Sequence, residues 1–431
     1  MSNKAQKRGL VPKLRFPEFL EAGAWKTEML GSVATISTEK VGDQTCIPMS
    51  ITSGVGLVSQ QDKFGRIIAG SSYKNYLRLK QNDFAYNKSA TKEYPEGYLA
   101  LYSGEALAAV PNSIFTCFRI NGNSPVPKYL DYLFHCNLHG KWLRKFIQVG
   151  ARAHGSLSIN DSDLLALPVP LPDGPLSLTE QQKIADCLVS LDERITLEAQ
   201  KLDTLKTHKK GLMQQLFPAE GETQPKLRFP EFRNAGEWKE KPLDAIATFY
   251  KGKGISKADI SEQGETHCIR YGELYTVYGE VISQVVSKTN LPSADLFLSQ
   301  QNDVLIPSSG ETKIDIAKAS CVLFDGIALG GDLNILRSDA NGIFLSYLLN
   351  GPYKSEIAKK AQGDAVVHLY ASQLKLLKVA IPKLAEQQKI ADCLASIDDL
   401  ITAQTQKLTA LKTHKKGLMQ QLFPALDEVA A

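Results

Sequence analysis

The chain is written twice, and that duplication limits its fold more than any other feature. Residues 180–218 read EQQKIADCLVSLDERITLEAQKLDTLKTHKKGLMQQLFP, and residues 386–424 read EQQKIADCLASIDDLITAQTQKLTALKTHKKGLMQQLFP. Thirty of 39 positions are identical at a constant offset of 206. A shorter word, KLRFPEF, occurs at 13–19 and 226–232, followed by GAWK (23–26) and GEWK (236–239). Fainter echoes lie between: QND at 81–83 and 301–303, YLDYL (129–133) and FLSYL (344–348), LPVPLP (167–172) and LKVAIP (377–382). The period is far longer than the roughly 20–50 residues of a solenoid or propeller unit. Two half-proteins fit instead, each a KLRFPEF word, a variable stretch of about 150 residues and one long repeated segment.

The repeated segment carries a heptad seam. Ile184, Leu188, Leu191, Ile195, Leu202, Leu205, Leu212 and Leu216 advance by alternating fours and threes, with polar Glu198 and Lys209 filling two positions. Ile390, Leu394, Ile397, Ile401, Leu408, Leu411, Leu418 and Leu422 repeat it, with Gln404 and Lys415 in the gaps. The pattern predicts helices over 180–217 and 386–423, opened at Thr179 in the first copy and stopped by Pro218 and Pro424. A helix of this length spans about 57 Å at 1.5 Å per residue. That is far beyond a helix lying on its own domain, so the two copies are expected to pair as an antiparallel coiled coil. The polar seam positions should fix its register, and a stiff rod should hold the two domains at a set separation.

The stretches between are mixed α/β: β-type runs such as SVATI, SIFTCFRI, VISQVV and DVLIP alternate with turns, and helix-like pieces come late in each. The expected class is α+β with an internal two-fold repeat. Its parts are an N-terminal segment (1–24), a first variable domain (25–172), a central helical region (173–225), a second variable domain (226–382) and a C-terminal helical region (383–431). Matching skeletons with differing residues imply one scaffold carrying two recognition surfaces. With 50 Lys plus Arg against 46 Asp plus Glu, a nucleic-acid surface must come from local clustering. Such clustering exists: Lys63, Arg66, Lys74, Arg78, Lys80, Lys88 and Lys92 face only Asp62 and Asp83, with Phe64, Tyr73, Tyr76, Phe84 and Tyr86 interleaved. Lys141, Arg144, Lys145, Arg152 and His154 follow with no acid among them. Phosphate neutralisation and base contact require this mixture, although a solvated surface with ordinary lysines would show it as well, and one window alone favours that plainer reading. If these surfaces meet nucleic acid, the candidate contacts are Lys74, Arg78, Tyr86, Lys88, Ser89, Lys92, Arg152 and His154 in the first domain, and Ser308, Thr312, Lys313 and His368 in the second.

Catalytic words are missing from the sequence. There is no G-x-x-x-x-G-K-[ST] phosphate loop and no N-P-P-[YF] methyl-transfer word. His135 and His139 have metal-ligand spacing but lack the Glu of H-E-x-x-H, so no metal site is expected. Seven cysteines without a C-x-x-C pair suggest reduced thiols. No apolar run reaches the eighteen or so residues of a membrane span, and MSNKAQKRGLVPKLRF has no apolar stretch behind its basic residues. A cytoplasmic protein, neither secreted nor in a membrane, is expected.

The duplicated EQQKIADCL…QKLxxLKTHKKGLMQQLFP segment and KLRFPEF…W before each variable stretch resemble the specificity (S) subunits of type I restriction–modification systems, over nearly the whole length. The resemblance implies that each variable domain reads half of a split, asymmetric site in double-stranded DNA. It further implies that the two helical regions set the spacing and dock methyltransferase (M) subunits, two of them, with restriction (R) subunits joining through the complex. On that family pattern the chain has no catalytic centre and no cofactor of its own; S-adenosylmethionine, ATP and Mg2+ belong to partner subunits. The rivals are a scaffold of two adaptor domains, which would not bind duplex DNA, and a fused enzyme, which would need the missing words.

Overall fold

The computed structural model describes residues 10–52, 54–147, 157–219, 221–363 and 366–425. The heptad segments form unbroken helices at Ser177–Gln215 and Leu384–Leu422, each 39 residues long. Both begin slightly ahead of the expected starts. Thr179 lies inside the first turn, and Ser177 organises the opening instead: its hydroxyl donates to the Pro172 carbonyl at 2.6 Å and accepts from Gln181 at 3.1 Å.

The chain divides into two compact units, residues 1–197 with 408–431, and residues 198–407. Neither is contiguous. Each holds one variable domain, the first part of the helix that follows it and the last part of the other helix. Every seam position is buried or half-buried, whereas Leu197 and Leu400, off the seam, are 63% and 55% exposed.

In the first unit, Ile184 and Leu188 share a core with Leu418 and Leu422, and Asp192 takes the Lys415 ammonium at 2.6 and 2.7 Å. In the second, Leu212 and Leu216 share a core with Ile390 and Leu394. There Lys209 reaches Asp398 at 2.8 Å, and the Gln404 amide donates to the carboxylate and carbonyl of Glu198 at 2.7 and 2.8 Å. Numbers rise along one helix as they fall along the other, so the pairing is antiparallel in both units. The four polar seam residues are all paired, and each pair is satisfied at one register only.

Each variable domain is an insertion closed at its base. Lys26–Met29 pairs antiparallel with Pro168–Leu171, register Lys26 to Leu171; Lys239–Pro242 pairs with Lys378–Ile381, register Lys239 to Ile381. Above the ribbon, the first domain has an antiparallel sheet ordered Ala34–Ser37, Phe115–Ile120, Phe84–Asn87, Tyr98–Leu101. The second repeats that order with Ala247–Lys251, Leu333–Ser338, Val304–Pro307 and Ser320–Val322, then adds Val281–Ile282. A second sheet of four strands completes each domain. The QND echo sits at the same turn in both. Asn82 and Asn302 adopt left-handed backbone (φ 71° and 80°), which asparagine tolerates. Buried Asp83 and Asp303 then grip Arg119 and Arg337 through two hydrogen bonds each, at 2.6–2.9 Å.

The repeated words fasten domain to helices. In the first unit, the Leu14 amide donates to the Gln421 carbonyl at one helix end, while Arg15 meets buried Glu180 at another helix start through two 2.7 Å hydrogen bonds. Trp25 Nε1 donates to the same carboxylate at 3.3 Å. The second unit repeats this strap with Leu227 on Gln215, and Arg228 (2.7 and 2.7 Å) and Trp238 (3.3 Å) on Glu386. The next residue of EQQ is used alike: Gln181 accepts from the Val126 amide (2.8 Å) and Gln387 from the Asn341 amide (2.9 Å), capping Pro127–His135 and Gly342–Asn350. Those helices answer with Tyr132 donating to Asp192 (2.7 Å) and Tyr347 to Asp398 (2.5 Å).

A carboxylate this buried is stable only while paired, so Glu386→Ala should lower the unfolding free energy of its unit by about 3–5 kcal/mol in urea denaturation. The apolar pair Arg228→Met with Glu386→Leu should cost much less than the sum of its single changes; additive losses would show that the two side chains act independently.

Candidate nucleic-acid interface

The strand that follows QND delivers the candidate residues in both domains. After Phe84–Asn87, the Lys88 amide donates to the Ile114 carbonyl (2.8 Å) and its carbonyl accepts from Leu157 (2.6 Å). After Val304–Pro307, Ser308 does the same with Asp332 (2.9 Å) and Leu369 (3.0 Å). One backbone position thus presents lysine in one domain and serine in the other. Ser309–Gly310 pairs with Val367–His368, so Ser308 and His368 line one cavity of about 470 Å³ with Tyr250, Lys251, Tyr370 and Lys375. The His368 and Tyr370 rings stack at 6.2 Å, offering a flat face of the kind bases stack on.

The remaining candidates fall differently. Lys88 and Ser89 are half-buried beside one another, and Lys92 is exposed. Lys74 is open to solvent with Asp43 at 2.8 Å. Thr312 caps the short helix Lys313–Ile316 by accepting from the Asp315 amide at 3.1 Å, which leaves Lys313 exposed on its first turn. Arg152 and His154 lie outside the described residues. Two candidates are corrected. Tyr86 is wholly buried and its hydroxyl donates to the Glu96 carbonyl at 2.7 Å, so it belongs to the core and not to a DNA face. Arg78 pairs with Glu39 at 2.6 Å, and Arg119 and Lys80 converge on the same carboxylate. Hydrogen bonds from Arg78, then Arg119 and Lys80, hold Glu39 down at about 2, so Arg78 and Lys80 of the basic run are already paired with a carboxylate.

In the second domain the sequence offers only weak basic clusters, Lys251 and Lys253 in YKGKG among them, but the fold gathers that one into a larger feature. A groove of about 1200 Å³ is lined by Lys251, Lys253, Lys257, Arg270, Tyr271 and Tyr275. Its only linear signal is YKGKG. Gly252 is required there, because a Cβ would lie 1.9 Å from the Gly330 carbonyl oxygen; this close approach puts Lys251 and Lys253 on the rim. In the first domain Phe64, Ile67 and Ile68 are exposed beside Lys63 and Arg66.

His139 is buried against the Gly97 carbonyl (3.3 Å), and burial pulls its pKa down to about 4, so it is a neutral core residue. Burial pushes the Cys136 and Cys321 thiols up to about 12. Among the described residues no three His, Cys, Asp or Glu side chains come together as a metal site.

The comparisons agree with this architecture. The type I restriction modification DNA specificity domain model matches residues 58–207 and again 235–413. The chain belongs to that family. It is a DNA-specificity chain with two such domains, one per half of the duplication. Two proteins of Methanocaldococcus jannaschii are similar to it. One, named as the MjaX specificity subunit of a type I restriction enzyme, is 26% identical over 80% of this chain and 78% of its own. The other, the MjaVIII specificity subunit, is 24% identical over 68% and 69%. Among solved structures, the type I restriction–modification S subunit of M. genitalium superposes with a TM-score of 0.59 at 15% identity, covering 96% of this chain and all of the other. A chain from a structure of type I system assembly and conformational transition gives 0.53 at 17%, covering 93% and 98%. The fold is that of these specificity subunits.

If Lys88 meets a phosphate, Lys88→Ala should weaken duplex binding and reduce the slope of log affinity against log salt by about one unit. Tyr86→Phe should leave both unchanged, since only a core hydrogen bond is lost. Filter binding across a salt series separates the two, and an unaltered slope for Lys88→Ala would remove that residue from the interface.

Proposed function

We propose that this chain is the DNA-reading subunit of a type I restriction–modification assembly, in which each variable domain reads one half of a bipartite, asymmetric duplex site. The observation that carries the reading is the contrast between frame and surface. Asp83 and Asp303, Arg15 and Arg228, and Glu180 and Glu386 keep the same partners in both units, while Lys88 and Ser308, and Ile114 and Asp332, differ at matched positions just beyond the central strand. Two like frames presenting unlike surfaces suit two different half-sites on one ligand.

The paired helices dock two copies of one methyltransferase partner and fix the spacing of the half-sites. The final 14 residues of the copies, 205–218 and 411–424, are identical, including exposed Lys206, Lys210, Gln214 and their counterparts. Nothing inside the fold requires identity at exposed positions, so each copy is read as meeting the same partner. Each lines a cavity within its own unit, of about 900 Å³ around Lys412, Lys416 and Met419 and about 720 Å³ around Lys206, Lys210 and Met213. Each 39-residue helix also runs unbroken from one unit into the other, as a spacer must.

Methylation and cleavage belong to the partners, with S-adenosylmethionine, ATP and Mg2+ bound there and restriction subunits joining through the complex. The missing phosphate loop and methyl-transfer word support this. No described helix is long and apolar enough to cross a membrane, in keeping with action on DNA in the cytoplasm.

Native mass spectrometry of the complex tests the docking. The wild-type chain should hold two M subunits, Lys206→Glu with Lys210→Glu should hold one, and adding Lys412→Glu with Lys416→Glu should hold none. The chain alone should turn over neither S-adenosylmethionine nor ATP. Two partners retained by the fourfold variant, or turnover by the lone chain that a point mutation abolishes, would refute this assignment.

A further inference from the structure

The second domain's groove is lined by several cations, yet the carboxylate of Asp332 lines it too. Asp332 lines both the groove that holds Lys253 and the adjoining cavity that holds Ser308 and His368; Lys251 is the lysine the two share. Of the other acids of the groove, Glu273 pairs with Arg270 (3.0 Å) and Asp259 accepts from Ser256 (2.7 Å); Glu311 is exposed but, unlike Asp332, does not line the cavity of Ser308 and His368. Asp332 is exposed, and its carboxylate has no hydrogen-bond or ion-pair partner among the described residues. Its backbone is held, because its carbonyl accepts from the Ser308 amide at 2.9 Å, directly after the central strand.

The matched position in the first domain is Ile114, whose carbonyl accepts from Lys88 at 2.8 Å. The ladder is kept and the side chains are unrelated, so position and chemistry vary independently here. A bare carboxylate in a groove built for a polyanion repels phosphate. What duplex DNA offers it in the major groove is an exocyclic amino group, on cytosine N4 or adenine N6.

We propose that Asp332 is a specificity-determining residue of the second domain, its carboxylate accepting a hydrogen bond from the exocyclic amine of a cytosine or an adenine in the half-site that domain reads. The proposal rests on the DNA-reading function above and deepens it. Ile114 in the first domain cannot accept such a bond, so the first half-site is read at this point by other means.

The test uses the full chain expressed with its methyltransferase partner. Methylated motifs are read genome-wide for the wild type and Asp332→Ala, and the purified complexes are titrated with duplexes of the wild-type motif changed at each base pair in turn. The expected result is confined to one base pair of one half-site. The wild type accepts one of the four pairs there, A·T, T·A, G·C or C·G, and the motif shows whether the amine read is adenine N6 or cytosine N4 and on which strand it lies. Asp332→Ala loses on the order of ten- to a hundredfold discrimination at that pair and keeps every other position. Because Asp332 is exposed, the variant should melt with the wild type. A motif unchanged at all positions, with affinity raised or lowered uniformly, would overturn the assignment: the carboxylate would then act on the duplex only through its charge. A wild-type complex with no bipartite motif would instead overturn the DNA-reading function, and this residue's role with it.

Discussion

A buried carboxylate at the first turn of each long helix is the fastening on which this protein depends. Glu180 and Glu386 are only 1% exposed, and an unpaired carboxylate at such a depth would cost several kcal/mol. Each is made tolerable by a guanidinium and an indole from words lying roughly 150 residues earlier in the chain. The strap brings KLRFPEF, the tryptophan and EQQ to one point, and the neighbouring backbone bonds from Leu14 and Leu227 bind the end of one helix into the same assembly. Once that point is fixed, the base ribbon follows within a few residues, and everything between its two strands becomes a closed insertion.

That arrangement separates what must stay constant from what can change. The Asp–Arg grip after QND, the Tyr–Asp–Lys contact between domain and helices, and the glutamine caps on Pro127–His135 and Gly342–Asn350 hold the frame. Residues just beyond the central strand stand on the frame without supporting it, which leaves their side chains open to variation. Lys88 with Ile114 and Ser308 with Asp332 occupy one ladder position with opposite chemistry. The proposed reading of two unlike half-sites with one architecture uses this division.

Much of this was legible in the sequence because duplication marks the frame. The heptad seam, the antiparallel pairing and the two-domain order follow from the repeated words, and the polar seam residues were recognisable as register pins although their partners were not. Arg15, Trp25 and Glu180 went unremarked because an ion pair across 165 residues leaves no local signal, yet their joint recurrence was available as one. Tyr86 was misjudged for a physical reason: its strand is buried on both faces, so basic–aromatic interleaving nearby did not mean exposure. The large groove of the second domain showed only as the weak cluster of Lys251 and Lys253, because residues near 251–257, 270–276 and 330–332 form it together and no single window is strongly basic.

The central claim is that each variable domain is an exchangeable reader on a repeated frame. The two ribbons close in the same register, Lys26 to Leu171 and Lys239 to Ile381, so residues 239–381 can be placed between the ends that now hold 26–171. The decisive measurement is the methylated motif made by a complex carrying that exchanged chain. The account predicts a site in which both halves carry the sequence formerly read by the second domain alone. An assembled complex that still methylated the original first half-site, or that methylated nothing, would contradict it.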